Sequence, residues 1–423
     1  MNRRILSILL ALAMMLSMFA FVSCGKDSNT NTGDGEQTSA SAETPFKTVD
    51  KADLKIGLIT LHDDSSTYDA NFIDAMYRAL EDMGLDKSQL ILYTGIAETE
   101  DCYNKAKDCV NQGCQVVFAD SFGHEDYMIQ AAIEYPEVRF CHATGTKAHS
   151  VNYDNFSNAF ASIYEGRYAA GVAAGMKLNE MIADGKITAD KAVMGYVGAY
   201  TYAEVMSGYT SFYLGAKSVC PSVTMKVKFT GSWYDYDKEK AAAESLISDG
   251  CVLISQHADS YGAPEACEAA GVPNVSYNGS TEATGPNTYI VSSKIDWAPY
   301  FEYMINCVME GKVIDKDYTG TIATGSVKVL EINEAVAAEG TQKAVDDVIE
   351  QFKAGTLHVF DTENFKVGGK KLESYMADVD SDEKFEKDTE AIADGYFHES
   401  EFRSAPYFDV EIDGIELLDR NYG

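Results

Sequence analysis

From residue 55 to residue 292 the chain alternates short apolar runs with amphipathic segments. The runs have the length and composition of buried strands, and the segments between them carry apolar residues at helical spacing. The predicted strands are 55–60, 90–93, 116–119, 139–143, 193–198, 225–229, 252–255, 274–277 and 289–292. The predicted helices are 70–83, 98–112, 125–134, 159–181 and 204–217, then one capped by Asp237 and one between the seventh and eighth strands.

Repeated βα units predict parallel sheets with helices on both faces. One sheet would not comfortably hold this many strands, and a polar segment from Lys177 to Asp190 interrupts the alternation midway. We therefore predict an α/β fold of two Rossmann-like lobes with parallel sheets and a ligand cleft between them. A (β/α)₈ barrel is the alternative, which the midway break and the uneven units disfavour.

The first residues predict export. Arg3 and Arg4 precede an uncharged apolar run over 5–22, and a small residue, Ser23, stands before Cys24. This arrangement resembles a bacterial lipobox, in which the cysteine is acylated and becomes the mature N-terminus. An ordinary signal peptide and an uncleaved membrane helix are the alternatives. We expect an extracytoplasmic protein that a lipid on Cys24 holds at the cell membrane.

The sequence after Cys24 predicts a linker, two lobes and a tail, in that order along the chain. The residues after Cys24 are polar and cannot bury enough surface to fold, so they form a flexible linker. The predicted segments are 1–23 (signal peptide), 24–52 (lipidated cysteine and linker), 53–176 with part of 293–325 (first lobe), 177–292 with part of 326–363 (second lobe) and 364–423 (a tail that wraps the lobes). We expect a monomer.

Charge and motifs exclude several function classes. The formal net charge of -32 argues against a nucleic-acid partner and against binding to an anionic membrane surface. The sequence has no G-x-S-x-G or H-E-x-x-H motif, and its histidines lack metal-ligand spacing. We therefore expect no catalytic residue, no metal and no cofactor. The eight cysteines after Cys24 are typical of buried small hydrophobes, with a disulfide between Cys102 and Cys141 as the open alternative.

The ligand of such a fold lies beyond the carboxyl ends of the strands. The predicted loops there are rich in aromatic and hydrogen-bonding residues: Tyr68, Asp69, Phe122, Tyr200, Tyr202, Trp233, Tyr234, His257, Asp259, Tyr261 and Asn278. Flat rings stack on aromatic faces, and fixed carboxylates or amides bind the ring edge, so this lining suits a planar, polar, neutral ligand. It suits a phosphate poorly, because no GxxxxGK[ST] loop is present.

Several ordered blocks resemble a known family. They include VFADSFGHEDY at 117–127, YEGRY at 164–168, GSWYD at 231–235 and QHADS at 256–260. Over about 55–359 the chain resembles the basic membrane protein family of ABC-transporter substrate-binding lipoproteins, also called purine nucleoside receptors. The resemblance implies a type I periplasmic-binding-protein architecture. It also implies that the protein captures a purine and delivers it to ABC permease subunits without chemistry.

The resemblance further implies a set of ligand-binding residues. They are Tyr68, Asp69, Asp120, Phe122, Trp233, His257, Asn278 and Lys294. Tyr68 and Trp233 would stack on the two faces of the purine, and Asp69 would bind its edge. Lys294, expected after a strand of the second lobe, would bind the hydroxyl side of the ligand.

One position departs from the family pattern. Asn278 stands where nucleoside-binding members have an aspartate that holds the ribose, and His257 looks like a branch that holds a free base. Whether the ligand is a nucleoside or a free base therefore stays open. Tyr68 and Trp233 could instead be rim aromatics, His257 a core or hinge residue, and Asn278 a turn residue. The alternative function is a lipoprotein that senses another small solute, such as a sugar, and signals to a membrane receptor.

Overall fold

A computed structural model describes residues 46–151, 153–380, 382, 384 and 386–420. The predicted signal peptide, Cys24 and almost all of the linker lie outside these residues. Within the described part, every helix is too short or too polar to cross a membrane. The strands are β1 Ile56–Ile59, β2 Leu90–Tyr93, β3 Val116–Ala119, β4 Arg139–Ala143, β5 Phe156–Ala161, β6 Val193–Gly198, β7 Thr224–Phe229, β8 Leu253–His257, β9 Asn274–Tyr277, β10 Tyr289–Ile295, β11 Asp317–Gly320, β12 Val327–Val329, β13 Met376–Ala377, β14 Thr389–Glu390, β15 Ile392–Ala393, β16 Tyr396–Phe397 and β17 Ile415–Leu417.

The α-helices alternate with these strands. They are α1 Thr67–Asp82, α2 Glu100–Asn111, α3 Glu125–Glu134, α4 Ile163–Ala183, α5 Ala203–Val219, α6 Tyr236–Ser248, α7 Gly262–Ala270, α8 Ala298–Met309 and α9 Thr341–Lys353. Helix α1 begins after Ser66, whose side chain accepts a hydrogen bond from the backbone N–H of Asp69. This cap fixes the first turn of α1 at the end of β1, where the ligand of such folds lies.

The strands form two large sheets. The first has the order β2-β1-β3-β4-β5-β11, and all its pairings are parallel. The second has the order β17-β7-β6-β8-β9-β10-β12, and its pairings are parallel except that β12 runs antiparallel to β10. The predicted α/β fold with two parallel-sheet lobes is therefore confirmed.

As far as β12, the described chain passes between the lobes three times. It leaves the first sheet at Ser162. The helix that follows, α4, packs on β10 and α5 of the second lobe. It returns at Trp297, where α8 packs on α1, and Trp297 stacks on Phe72 of α1 at a ring distance of 4.4 Å. It crosses again between β11 and β12. The first passage thus precedes the expected lobe boundary at residue 176.

Two sequence-based predictions of local structure are wrong. The predicted helix over 159–181 begins too early, because 156–161 is the buried strand β5. Its Ser, Asn and Ala residues have weak strand preference, and Ser162 alone separates it from the helix. The predicted cap Asp237 lies inside α6; Asp235 caps that helix by accepting from the backbone N–H of Lys238 at 3.0 Å.

The tail after residue 363 contributes to both lobes. Strand β17 adds to the edge of the second sheet beside β7. In the other direction, the backbone N–H of Ser404 donates to Asp317 Oδ2 of β11 at 3.0 Å. The eight cysteines of the described part are buried and free, so the alternative disulfide between Cys102 and Cys141 is not formed.

Candidate functional site

A cavity lies between the lobes where the carboxyl ends of the two sheets face each other. It holds about 380 Å³ of empty space, its opening included. Its walls are Leu61, His62, Tyr68, Asp69, Ser121, Phe122 and Thr144 from the first lobe and Glu204, Trp233, His257, Asp259, Tyr277 and Asn278 from the second. These residues end β8 and β9 or follow β1, β3, β4, β6, β7, β8 and β9, the position expected for a ligand in this fold.

Asp69 is held as a carboxylate by its own lobe. Its Oδ1 accepts from the backbone N–H of His62 at 2.7 Å, and Ser66 Oγ donates to its Oδ2 at 2.5 Å. Burial alone would raise the pKa of Asp69, but the hydrogen bonds from His62 and Ser66 outweigh it and lower the pKa below its ordinary value. Asp69 therefore offers an ionised acceptor at the N-terminus of α1.

Asp120 lies behind Tyr68 and does not line the cavity. Its Oδ1 accepts from the backbone N–H of Leu61 at 3.1 Å, and its carbonyl oxygen accepts from the Tyr68 hydroxyl at 2.8 Å. Among the described residues, Oδ2 has no hydrogen-bond partner. Burial and the charge of Asp69 raise the pKa of Asp120 well above its usual range. Asp120 therefore supports the Tyr68 side chain through its backbone carbonyl.

Asp259 and Asn278 join the second lobe to the first. Asn278 Nδ2 donates to Asp259 Oδ1 at 3.0 Å, and Asn71 Nδ2 of α1 donates to Asn278 Oδ1 at 3.4 Å. The N–H and hydroxyl of Thr67 donate to the carbonyl of Asp259 at 3.0 and 3.1 Å. The bonds from Asn71 and Thr67 cross the cleft, so the lobes are closed on each other.

The backbone at Asn278 also explains the residue type. Its φ of 64° lies in the left-handed region, which asparagine tolerates better than most residues. Burial, with the nearby charges of Glu239 and Asp69, raises the pKa of Asp259 well above its usual range.

His257 and Tyr277 form the floor of the cavity on the second-lobe side. His257 Nε2 lies 3.5 Å from Glu204 Oε1, and its ring lies 4.6 Å from that of Tyr277. Burial lowers the pKa of His257 despite Glu204, so the imidazole is neutral at pH 7. Behind Tyr277, the buried Arg167 guanidinium lies 4.8 Å from the ring and donates to Tyr196 Oη at 2.8 Å.

Aromatic rings from both lobes surround the entrance. Trp233 packs edge-on against Tyr200 at a ring distance of 5.0 Å. Phe122, with 41% of its surface exposed, lies 5.6 Å from Tyr202 across the cleft. Tyr68 packs edge-on against Phe72 at 4.9 Å. The cavity therefore presents ring surfaces on both of its sides.

The structure brings most of the predicted ligand residues together. Those that line the cavity are Tyr68, Asp69, Phe122, Trp233, His257 and Asn278. Two further lining residues were not predicted as ligand-binding. Glu204 lies in a predicted strand-end loop but has no distinguishing motif, and Tyr277 belongs to strand β9 itself. The charged lining residues of the described part are Asp69, Glu204 and Asp259, with no lysine or arginine among them.

The structure places Lys294 differently from its expected position after the strand. Strand β10 runs to Ile295, three residues further than predicted, so Lys294 lies inside the strand and not beyond its end. It pairs with Lys328 of β12, and its charged neighbours are Asp296 and Arg78. Lys294 is therefore absent from the cavity.

Comparison with known proteins agrees with this geometry. The model of the family described as ABC transporter substrate-binding protein, PnrA-like, matches residues 56–359. The chain belongs to this family. It is 30% identical over 310 residues to a purine-binding protein of Brucella abortus, covering 73% of this chain and 83% of the relative. It is also 30% identical over 307 residues to a putative ABC transporter glucose-binding protein, TsgA13, of Haloferax volcanii, covering 71% of each.

Further similarities are weaker in sequence. An ABC transporter nucleoside-binding protein, BmpA, of Lactococcus lactis is 26% identical over 219 residues, which cover 50% of this chain and 57% of the relative. A solute-binding protein structure from Conexibacter woesei superposes with a TM-score of 0.59 at 19% identity, covering 72% of this chain and 98% of that one. One from Aeropyrum pernix superposes with a TM-score of 0.58 at 15% identity, covering 76% and 94%. These structures show the fold.

Family membership settles the general role. PnrA-like proteins are the extracytoplasmic substrate-binding components of ABC transporters and are not enzymes. The chain therefore binds a small ligand and works with permease subunits.

Proposed function

We propose that this chain captures a purine nucleoside or a free purine base for import. The observation that carries the proposal is the cavity itself, with aromatic rings on both sides, three acidic residues and no basic residue among its described walls. A purine offers two flat faces for the rings and N–H donors for the carboxylates, and a ribose adds hydroxyl donors. An anionic ligand would meet uncompensated negative charge there.

Capture requires no bond to be made or broken. Tyr68 and Trp233 offer ring surfaces, the Asp69 carboxylate accepts hydrogen bonds, and Asp259 and Asn278 provide an acceptor and an amide from the other lobe. A ligand that contacts both lobes favours the closed state by its differential affinity for that state. The closed form then docks on the permease.

The relatives support two ligand classes. The Brucella abortus and Lactococcus lactis proteins bind, by their names, a purine and a nucleoside, whereas the Haloferax volcanii protein is named for glucose. Carboxylates and aromatic rings also bind sugars, whose hydroxyls donate and whose ring faces are apolar. A sugar is therefore the second candidate, and the orientation of Asp259 and Asn278 toward the cavity suits it.

A titration panel distinguishes these ligands. Purified protein is unfolded to release any bound molecule, refolded, and titrated calorimetrically with adenine, adenosine, guanosine, ribose and glucose. Purine binding with no heat from ribose or glucose is expected. Binding of glucose without any purine would replace the proposed ligand and leave the fold and the transport role intact.

The attachment to the membrane is a separate proposal. We propose that Cys24 is lipidated and that the segment up to residue 52 tethers the lobes to the membrane. Cell fractionation tests it: the wild-type protein is expected in the membrane fraction and Cys24→Ala outside it. Equal membrane recovery of both would contradict a lipid anchor.

A further inference from the structure

A second compartment adjoins the ligand cavity. It holds about 760 Å³ of empty space, its opening included, and shares Phe122, Thr144, Glu204 and Trp233 with the ligand cavity. These four residues therefore form the boundary between the ligand cavity and the second compartment. A ligand seated beside Trp233 has the second compartment directly next to it.

The C-terminal tail supplies one wall of this compartment. Arg403, Ala405, Pro406 and Asp409 line it opposite residues of both lobes. The segment 404–408 is buried throughout, so the wall is packed into the body of the protein. It also lies beyond the residues 56–359 that match the family, and this wall is therefore an addition to the matched region.

Hydrogen bonds hold the wall in place. The Arg403 guanidinium donates to the carbonyls of Asp378, Ala405 and Pro406 at 3.0, 3.3 and 3.2 Å. The buried Glu399 Oε2 accepts from the backbone N–H groups of Tyr407 and Phe408 at 3.1 and 2.9 Å. The wall is thus a fixed surface in the closed state.

The lining chemistry favours a neutral, hydroxyl-bearing group. Hydroxyls come from Thr144, Thr146, Thr201 and Tyr202. The charged lining residues are Glu204, Asp409 and Arg403; the guanidinium is already engaged by three carbonyls, and Asp409 Oδ2 accepts from Lys387 Nζ at 3.1 Å. A phosphate would therefore meet two carboxylates and one occupied cation, whereas a sugar finds both donors and acceptors.

We propose that the ligand spans both spaces, with the purine in the ligand cavity and a neutral polyhydroxyl group in the tail-walled compartment. The inference rests on the proposed function and selects a nucleoside over a free base. It makes Arg403 a positioning residue, because it fixes the wall through backbone carbonyls and does not itself need to touch the ligand.

Filling the compartment tests this assignment. Thr146 is a half-buried residue that lines the compartment and not the ligand cavity, so Thr146→Tyr is designed to fill the compartment alone. Adenosine affinity is expected to fall about tenfold or more, and adenine affinity to stay within about twofold of wild type. Thr356→Tyr is the matched control, because Thr356 is exposed just after α9 and lines neither space. It should change neither affinity.

A second variant keeps the test decisive if Thr146→Tyr folds poorly. Arg403→Gln removes the guanidinium that donates to three carbonyls. Adenosine affinity should fall by about three- to tenfold, while adenine affinity stays unchanged. Equal losses for both ligands, or no loss for either, would overturn the assignment of the compartment and leave purine capture standing. Wild-type protein that binds neither ligand would overturn the proposed function, and this inference with it.

Discussion

The two walls of the cleft hold their polar groups in different ways. In the first lobe, Asp69 and Asp120 bond within their own lobe, to the backbone of His62 and Leu61. In the second lobe, the backbone carbonyl of Asp259 and the side-chain amide of Asn278 bond across the cleft, to Thr67 and Asn71. We call Asp69 and Asp120 the platform, because their bonds form within one lobe. We call the carbonyl of Asp259 and the amide of Asn278 the latch, because their bonds to the other lobe depend on closure.

This difference separates local stability from closure. A change in the platform should alter the stability of the unliganded protein, because its bonds exist whether the cleft is open or closed. A change in the latch should alter ligand affinity, because the energy of its bonds counts only in the closed state.

The largest expected effect concerns the aromatic side of the latch lobe. Trp233→Ala should weaken ligand binding by about 100-fold, since buried aromatic residues carry much of the binding energy of a site. Calorimetric titration measures the loss, and the melting temperature of the unliganded protein should stay close to wild type. Tyr153→Ala, which removes an exposed ring that lines neither cleft space, is the control. A loss of less than about threefold would contradict the ring-stacking role.

The same substitution in the two walls should act in opposite directions. Asp69→Asn removes a carboxylate that receives hydrogen bonds, and should lower the melting temperature at pH 7. Asp259→Asn keeps an acceptor for Asn278 and removes a carboxyl group whose ionisation is disfavoured by burial, and should raise it. Each shift is expected to be roughly 2 °C. Equal signs would contradict the opposite pKa directions of the two carboxyl groups.

The pH dependence follows from the two pKa directions. The pKa of Asp69 is lowered, so its contribution is present above its ordinary value of 3.8 and is lost as the pH falls through the folded value. The pKa of Asp259 is raised, so stability is full below 3.8 and is lost as the pH rises through the folded value. The advantage of Asp259→Asn should therefore vanish near pH 4 and grow toward neutral pH, as thermal melts across this range can show.

A smaller effect is expected from the latch amide. Asn278→Gly preserves the left-handed backbone and removes the side-chain bonds to Asp259 and Asn71. Ligand affinity should fall about tenfold, with little change in the melting temperature of the unliganded protein. A large loss of unliganded stability with unchanged affinity would place Asn278 in the fold and not in the latch.

Lys294 belongs to neither wall and should have the smallest effect. Lys294→Ala is expected to leave ligand affinity within about twofold of wild type, because the side chain lies inside β10 beside Asp296 and Arg78. A tenfold loss in the same titration would show that Lys294 reaches the ligand in solution.

The sequence pattern located most of the strands and cleft residues, but it missed strand β5 and misplaced Lys294. Strands that alternate with helices were readable from buried apolar runs, and the strand-end rule then located Tyr68, Asp69, Trp233 and His257 near one another. Strand β5 escaped because its small and polar residues merge with the helix that follows. Lys294 was misplaced because antiparallel pairing with β12 extends β10 beyond Ser292 to Ile295, and such pairing leaves no local signal.

The tail wall could not have been predicted. Arg403 and Pro406 lie more than 100 residues beyond the loops that they face, and the tail has no regular alternation of apolar and polar residues. Their place depends on burial of Glu399 and on the carbonyl bonds of Arg403, which are tertiary contacts without a periodic pattern.

Mass spectrometry of the small molecule released from the purified, denatured protein tests the central claim most directly. Protein expressed in a host cell and purified without added ligand should carry a purine, and a nucleoside if the tail-walled compartment is occupied. Release of a hexose, or of a compound without a purine ring, would contradict purine capture by this cleft.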